Sequence, residues 1–440
     1  MSKTENPSRP RLAVHTLGCK VNQFESACLI EQFQAKSWLK VPFKDQAELF
    51  LINTCAVTAE AQRQSTQMVR QAVRRHSQAL IIVTGCAAQL FPQVFEEIPG
   101  VDHIVGTFNK FSIPDLISSL TKEEYARTAV LPEPPGPLLQ GVFPLNNDRT
   151  RAFLRIQDGC NAGCSYCLVP QARGSSRSLA REEVHRGIRA LAAQGFKEVI
   201  LTGIHLGQYG QDLSPATDLV SLLATLLEER PEIAIRLSSL EAQEVTPELM
   251  ALFKSRPNLC PHLHIPLQSG DDFLLRRMNR GYTREEYRHL IQALKRELPR
   301  ASIGTDIIVG FPGEDEQAFR QTLDLVRDLP LAYLHLFPYS PRPGTLAALF
   351  RDQVPGPLKK KRLEMLREID RLKRQEFAAQ ALGQVFSALV LKPLKEKGGY
   401  ETLTENYLTV RVEGNLRRND RVRIRLTAFG PQGIRGEVTA

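Results

Sequence analysis

The stretch Arg155–Gly174, RIQDGCNAGCSYCLVPQARG, decides how the rest of the chain is read. It holds Cys160, Cys164 and Cys167 in the spacing C-x3-C-x2-C. Structural zinc takes four protein ligands in a closed tetrahedron, and this loop supplies three thiols with no histidine beside them. Iron–sulfur clusters are also held by cysteine thiolates. On three thiolates a [4Fe–4S] cluster keeps one iron open, and an open iron chelates a small molecule through nitrogen and oxygen. The missing fourth ligand is then the reactive position.

Working outward, the loop follows the apolar run AFLRIQ, which reads as a strand. Further runs follow it: EVILTGI, IAIRLSS, LHIPLQ, GTDIIVG and AYLHLFPY, most of them separated by helical stretches. Six strand–helix units predict a partial (β/α)6 barrel. Polar and glycine-rich segments such as TGIHLGQYG, QSGDD and GFPGE come after the strand ends. In a barrel that face carries the active site.

Upstream, RLAVHTLGC ends at Cys19, ELFLINTC at Cys55 and ALIIVTGC at Cys86. Each is a short buried-strand pattern followed by a helix-like stretch, at 25–34, 59–75 and 89–97, and a fourth strand is expected at Val101. Strand alternating with helix predicts a parallel sheet, whose carboxyl edge binds ligands. Cys19, Cys55 and Cys86 are therefore expected to meet at that edge and to hold a second [4Fe–4S] cluster. The alternative is three small buried residues, as free cysteines often are. Cys28 and Cys260 are read as packing residues.

Pro132 to Asn147, rich in Pro and Gly, reads as a linker. From Pro357 to Leu382 runs a basic amphipathic helix, and the short strands after it suggest a small β-barrel. From Arg351 to Ala440 there are 19 Lys and Arg against 11 Asp and Glu; the rest of the chain has 38 against 37. The net charge of +9 thus sits almost wholly at the C-terminal end, which suits an anionic polymer or a solvated basic face. Tyr400, Tyr407 and Phe429 are read as core or strand residues, with base stacking as the alternative. No run of about 18 apolar residues exists to span a membrane. The polar start MSKTENPSRP lacks a signal peptide's apolar core. A cytoplasmic protein is expected, with reduced thiols serving metal or catalysis.

C-x3-C-x2-C at the end of the first barrel strand resembles the radical S-adenosylmethionine (SAM) superfamily. The resemblance implies that the open iron holds the amino and carboxylate groups of SAM, and that one electron cleaves SAM to a 5′-deoxyadenosyl radical. The turn Thr202–Gly203–Ile204 corresponds to one that offers backbone carbonyls to the SAM amino group. Read from the residues alone it is an ordinary strand-to-loop turn.

The whole order is similar to the methylthiotransferases: an α/β domain over 10–130, a radical SAM barrel over 148–378 and a TRAM-like module over 381–440. GCKVNQFES, CSYCLVPQARGSSRS, LTGIHLGQYG, RLSSLE, HLHIPLQSGDDFLLRRMNRGYT, GTDIIVGFPGE and FPYSPRPGT most resemble the branch acting on N6-threonylcarbamoyladenosine in tRNA. Gln171 and Ala242 stand where the family often has Tyr and Pro. The resemblance implies an enzyme that uses two [4Fe–4S] clusters, two molecules of SAM and an electron donor. A cluster-bound sulfur is methylated, and the methylthio group goes to carbon 2 of the adenine next to the anticodon. The basic C-terminal residues would meet phosphates of the tRNA anticodon loop. Arg173 and Arg177 would meet the SAM carboxylate or a tRNA phosphate, or pair within the barrel. Other readings are the same chemistry on isopentenyladenosine or on a ribosomal protein side chain, or a non-catalytic RNA-binding metalloprotein.

Overall fold

The computed structural model describes residues 9–134, 136–138, 143–145, 149–230, 232–395 and 398–439. Most of the N-terminal stretch MSKTENPSRP and part of the Pro132–Asn147 linker lie outside them. The chain forms two compact units. One comprises residues up to 147 with 157–162 and 167–183; the other comprises 148–156, 163–166 and 184 onward.

The first unit is built on six parallel strands: β1 (Arg11–Thr16), β2 (Leu39–Val41), β3 (Leu49–Thr54), β4 (Leu80–Gly85), β5 (His103–Val105) and β6 (Arg127–Ala129). Their order is β2-β1-β3-β4-β5-β6. Alternation sorts the side chains onto two cores. Leu49, Leu51 and Ile82 pack with Leu29 and Phe33 of the helix Lys20–Ala35. Phe50, Ile52, Ile81 and Val83 pack with Val69 and Ala72 of the helix Ala59–Arg75. A sheet covered on both faces explains why these strands read as continuous apolar runs. Thr58 caps the second helix by accepting from the Ala61 N–H at 3.0 Å. The helix expected over 89–97 is instead two short ones, Cys86–Leu90 and Gln93–Glu96. Pro92 between them has no N–H to continue the ladder.

In the second unit, six parallel strands form two three-stranded halves. β7 (Ala152–Arg155), β8 (Glu198–Thr202) and β9 (Ala234–Leu237) pair in the order β9-β8-β7. β10 (His262–His264), β11 (Ser302–Val309) and β12 (Tyr333–Pro338) form the other half. A parallel bridge between Ile235 and Leu259 continues the sequence of strands from β9 toward β10. The edge of β12 is covered by the helix Gly356–Ala381, whose Asp370 accepts from the Leu334 N–H at 2.7 Å.

The chain ends in a closed five-stranded barrel of β13 (Val385–Pro393), β14 (Gly399–Thr404), β15 (Thr409–Glu413), β16 (Arg421–Gly430) and β17 (Gly433–Thr439). It docks on the segments that precede the strands of the larger barrel. Asn406 donates to the Arg300 carbonyl at 3.1 Å, Asn419 to the Gly195 carbonyl at 2.8 Å, and Thr150 to the Leu391 carbonyl at 2.9 Å. Tyr407 enters that floor and stacks on His262 with ring centres 4.1 Å apart. Tyr400 packs against the core of the small barrel, and Phe429 stays partly exposed. Among the described residues no helix is long and apolar enough to cross a membrane.

Candidate functional site

Cys19, Cys55 and Cys86 each follow the carboxyl end of a strand of the first sheet. Gly18 and Gly85 turn the chain just before two of them, with φ of +90° and +99°. A Cβ on Gly18 would meet the Cys55 Sγ at 2.8 Å, and one on Gly85 would meet Asn53 Oδ1 at 2.4 Å. The turns are tied together by polar groups. Asn22 donates to the Leu17 and Thr54 carbonyls at 2.9 and 3.0 Å. Asn53 donates to the Asn22 carbonyl at 3.1 Å, and Thr54 donates to the Thr84 carbonyl at 2.6 Å. These bonds bring the three thiols within electrostatic reach of one another. Burial first, then the neighbouring Cys86, pushes the Cys55 thiol up to about 12.

A cation faces this set. Arg173 is 1% exposed. Its Nη1 donates to Glu25 Oε1 at 3.0 Å and Asp158 Oδ1 at 2.8 Å; its Nη2 donates to Asn22 Oδ1 at 2.7 Å and Glu25 Oε2 at 3.1 Å. Lys110, fully buried, meets Glu25 Oε2 at 2.6 Å. The guanidinium lies within electrostatic reach of Cys19, Cys55 and Cys86. Arg173 makes ion pairs with Glu25 and Asp158. Its Nη1 and Nη2 thus face Glu25, Asp158 and Asn22 beside the N-terminal cysteines. Arg177 lies 3.6 Å from Asp158 Oδ2. The sequence signal for this network was GCKVNQFES itself, whose Asn22 and Glu25 are polar residues facing inward on a helix.

In the loop after β7, backbone N–H groups point at sulfur. Ala162 donates to Cys160 Sγ at 3.3 Å and Val169 to Cys167 Sγ at 3.4 Å. In the second unit Arg280 donates to Cys164 Sγ at 3.5 Å and pairs with Glu241. Arg280 and Glu241 come from RRMNRGYT and RLSSLE, and their pairing across 39 residues was not visible in sequence. The Thr202 carbonyl accepts from Ile156 N–H at 2.9 Å, which holds β7 to β8. Among the described residues no hydrogen bond goes to the carbonyls of Gly203 or Ile204. Cys28 and Cys260 are buried, and burial pushes the Cys260 thiol up to about 12. Gln171 is exposed and Ala242 buried.

Comparison with known proteins follows this division. Residues 154–326 match the radical SAM superfamily, and residues 11–106 match an uncharacterized protein family, UPF0004. The chain is 38% identical to the threonylcarbamoyladenosine tRNA methylthiotransferase MtaB of Aquifex aeolicus, over 92% of this chain and 97% of that one. It belongs to the radical SAM methylthiotransferase family. The MtaB of Bacillus subtilis is 37% identical over 92% of this chain and 90% of its own. A tRNA-2-methylthio-N(6)-dimethylallyladenosine synthase of Pelotomaculum thermopropionicum is 34% identical over 85% of each. In fold, the chain is similar to the radical SAM methyltransferase TsrM of Kitasatospora setae, with a TM-score of 0.55 and 16% identity, over 78% of this chain and 77% of that one.

For a radical SAM methylthiotransferase, the donor chemistry fits iron–sulfur ligation. All eight cysteines are free. Thiols that burial pushes up lose their protons outright to a coordinating metal. N–H groups aimed at sulfur, and a guanidinium beside each set, stabilise the negative charge that ligation leaves.

Proposed function

We propose that this chain adds a methylthio group to carbon 2 of N6-threonylcarbamoyladenosine next to the anticodon of tRNA. One observation carries the reading beyond SAM cleavage. The chain has a second gathering of three thiols, Cys19, Cys55 and Cys86, with a buried arginine beside it. In this reading residues 10–130 handle sulfur, 148–378 cleave SAM and 381–440 meet RNA. Cys160, Cys164 and Cys167 hold one [4Fe–4S] cluster, and the N-terminal three hold the other. When bound, the clusters and SAM supply the sulfur, the methyl group and the radical that replaces hydrogen at an aromatic carbon with no acidic proton.

The protein's own part is to orient and to exclude side reactions. Glu241 holds Arg280, and Arg280 fixes Cys164. Thr202, Gly203 and Ile204 offer their carbonyls to an ammonium group. Electrons come from an electron donor, and the work is done in the cytoplasm. Arg421, Arg423 and Arg425 stand at period two on the exposed face of β16, and Arg411 pairs in register with Arg435. Such a stripe suits phosphates of a folded-out anticodon loop.

The test measures 5′-deoxyadenosine and methylthiolated nucleoside in one reaction on tRNA bearing threonylcarbamoyladenosine. Full iron should be about eight per chain, and removing either thiol set should leave about half. The variant Cys19→Ala, Cys55→Ala, Cys86→Ala should still cleave SAM and form no methylthio product. The variant Cys160→Ala, Cys164→Ala, Cys167→Ala should do neither. Methylthio product from the first variant would overturn the sulfur role, and SAM cleavage by the second would overturn the cluster assignment.

A further inference from the structure

The residues around Cys164 are gripped by a loop of the larger barrel. That loop follows the helix Asp272–Arg277 and runs through Met278, Asn279 and Arg280. Ser165 N–H donates to the Met278 carbonyl at 3.1 Å, and Asn279 Nδ2 donates to the Gly163 carbonyl at 2.9 Å. Asn279 has a φ of +59°, a left-handed turn that Asn adopts more readily than most residues. It carries the chain from the helix to Arg280. The neighbours of Cys164 on both sides are thus tied down, and Arg280 reaches the cysteine itself. Its Nη1 donates to Cys164 Sγ at 3.5 Å.

The guanidinium is held on its other nitrogens too. Nε donates to the Tyr282 hydroxyl at 3.2 Å, and that hydroxyl donates to the Pro266 and Leu267 carbonyls at 2.8 and 3.1 Å. Nη2 pairs with Glu241. Glu241 is fixed in turn, since its N–H donates to Glu244 Oε2 at 2.8 Å and Glu244 Oε1 meets His205 Nε2 at 2.5 Å. The Arg280 side chain is only 5% exposed. An arginine keeps its proton in a protein. One fixed positive charge therefore stands against the Cys164 sulfur, shielded from water, where charges act strongly. One carboxylate stands against the other terminal nitrogen of the same guanidinium.

A [4Fe–4S] cluster gains one unit of negative charge when it takes up one electron. Hydrogen bonds to its sulfurs and charges beside its ligands shift the balance between the two states. A cation at a ligating sulfur favours the reduced state, and an anion behind that cation opposes it. We propose that Arg280 raises the reduction potential of the cluster on Cys160, Cys164 and Cys167, and that Glu241 limits the rise. The step is the transfer of one electron from the electron donor to the cluster. No bond forms or breaks in it, and Arg280 keeps its proton throughout. The inference rests on the cluster assignment above and deepens it. Both residues act through Cys164, so they are positioning residues that hold charge in place. Neutralising one should move the potential down, and neutralising the other should move it up.

The experiment is a redox titration of the holoenzyme without SAM, with dithionite as the reductant and electron paramagnetic resonance as the readout. The signal to follow is the one missing from the variant Cys160→Ala, Cys164→Ala, Cys167→Ala. Arg280→Met should make that cluster about tenfold harder to reduce, a midpoint about 59 mV lower. Glu241→Gln should shift the midpoint about as far upward. Arg280→Lys keeps the charge and should stay closer to the wild type than to Arg280→Met. A loosened fold would move the two neutralised variants the same way, so shifts of one sign in both overturn the proposal. An unchanged midpoint in Glu241→Gln overturns it as well. If Arg280→Met takes up no cluster at this site, Glu241→Gln decides alone: a rise supports the proposal, and its absence overturns it. If the cysteine variant keeps every signal of the wild type, the cluster assignment falls and the proposal with it. If it loses one signal whose midpoint ignores both charges, the proposal falls and the assignment stands.

Discussion

Arg173 and Glu25 share two hydrogen bonds where each side chain is only 1% exposed. A buried pair of this kind is costly to break, because one partner removed leaves the other charged and without water. Asp158 and Asn22 complete the guanidinium's set, and Lys110 gives Glu25 a second cation. Arg173→Met should therefore cost about 3 kcal/mol of unfolding free energy, at the low end for a buried pair because Lys110 remains. Arg173→Lys keeps the charge without the fork and should cost less. Urea unfolding of the three chains gives the comparison. A loss below about 1 kcal/mol for Arg173→Met would put this site with ordinary surface pairs. At the same scale, Gly304→Ala forces a methyl group into the Tyr333 ring and should cost about 1 to 3 kcal/mol as overpacking. Combining it with Tyr333→Leu should recover most of that loss; equal costs for the single and double variants would mean that the strain lies in the backbone.

Strands and helices differ in how plainly the sequence announced them. The helix Ala59–Arg75 was legible end to end, because Thr58 marks its start and its apolar residues keep helical spacing. The helix expected from Glu25 begins at Lys20 instead, because Asn22 and Glu25 face a buried polar network and break the apolar pattern. The three-residue strands LKV and RTA carry no apolar run, and only their neighbours' ladders make them strands. The cysteine positions were readable because each closes a strong strand pattern. The side-chain bonds among His262, His264, Tyr333, Asp306 and His335 were not, since register across β10, β11 and β12 joins residues dozens of positions apart. On β16 the alternation was readable: Ile424 and Leu426 are buried while Arg423 and Arg425 face out. Among the described residues no carboxylate pairs with Arg423 or Arg411. Replacing both with Ala should weaken tRNA binding and reduce the slope of log affinity against log salt by about 1.4 to 1.8, one released counterion per lost phosphate contact. An unchanged slope would show that the stripe does not meet the backbone of the RNA.

Across the second unit, the small barrel is part of the large one's floor, which changes what its removal would mean. Arg236 is 1% exposed; it donates to Glu198 at 2.8 and 3.2 Å and to the Glu405 and Thr404 carbonyls at 3.0 and 3.4 Å. Its guanidinium lies 5.1 Å from the centre of the Tyr407 ring. Deleting residues from 383 onward would uncover this ion pair as well as remove arginines, so point changes are the cleaner probe of RNA contact. The pair itself makes a prediction about acid. Burial would raise the Glu198 carboxyl, but Arg236 and then Arg151, 3.3 Å away, outweigh it and hold the group below the usual range. A carboxyl whose folded value lies below its unfolded value contributes stability at neutral pH, and that contribution fades as pH falls below about 4 and through the folded value. Glu198→Gln leaves Arg236 buried without its counter-charge and should cost about 3 kcal/mol at pH 7. It also removes the titration. The gap in unfolding free energy between wild type and variant should therefore narrow steadily as the buffer is taken from pH 6 to pH 3. Two curves that stay parallel over that range would mean that Glu198 binds its proton alike in the folded and unfolded chain, and the ion pair would not be what joins the two barrels.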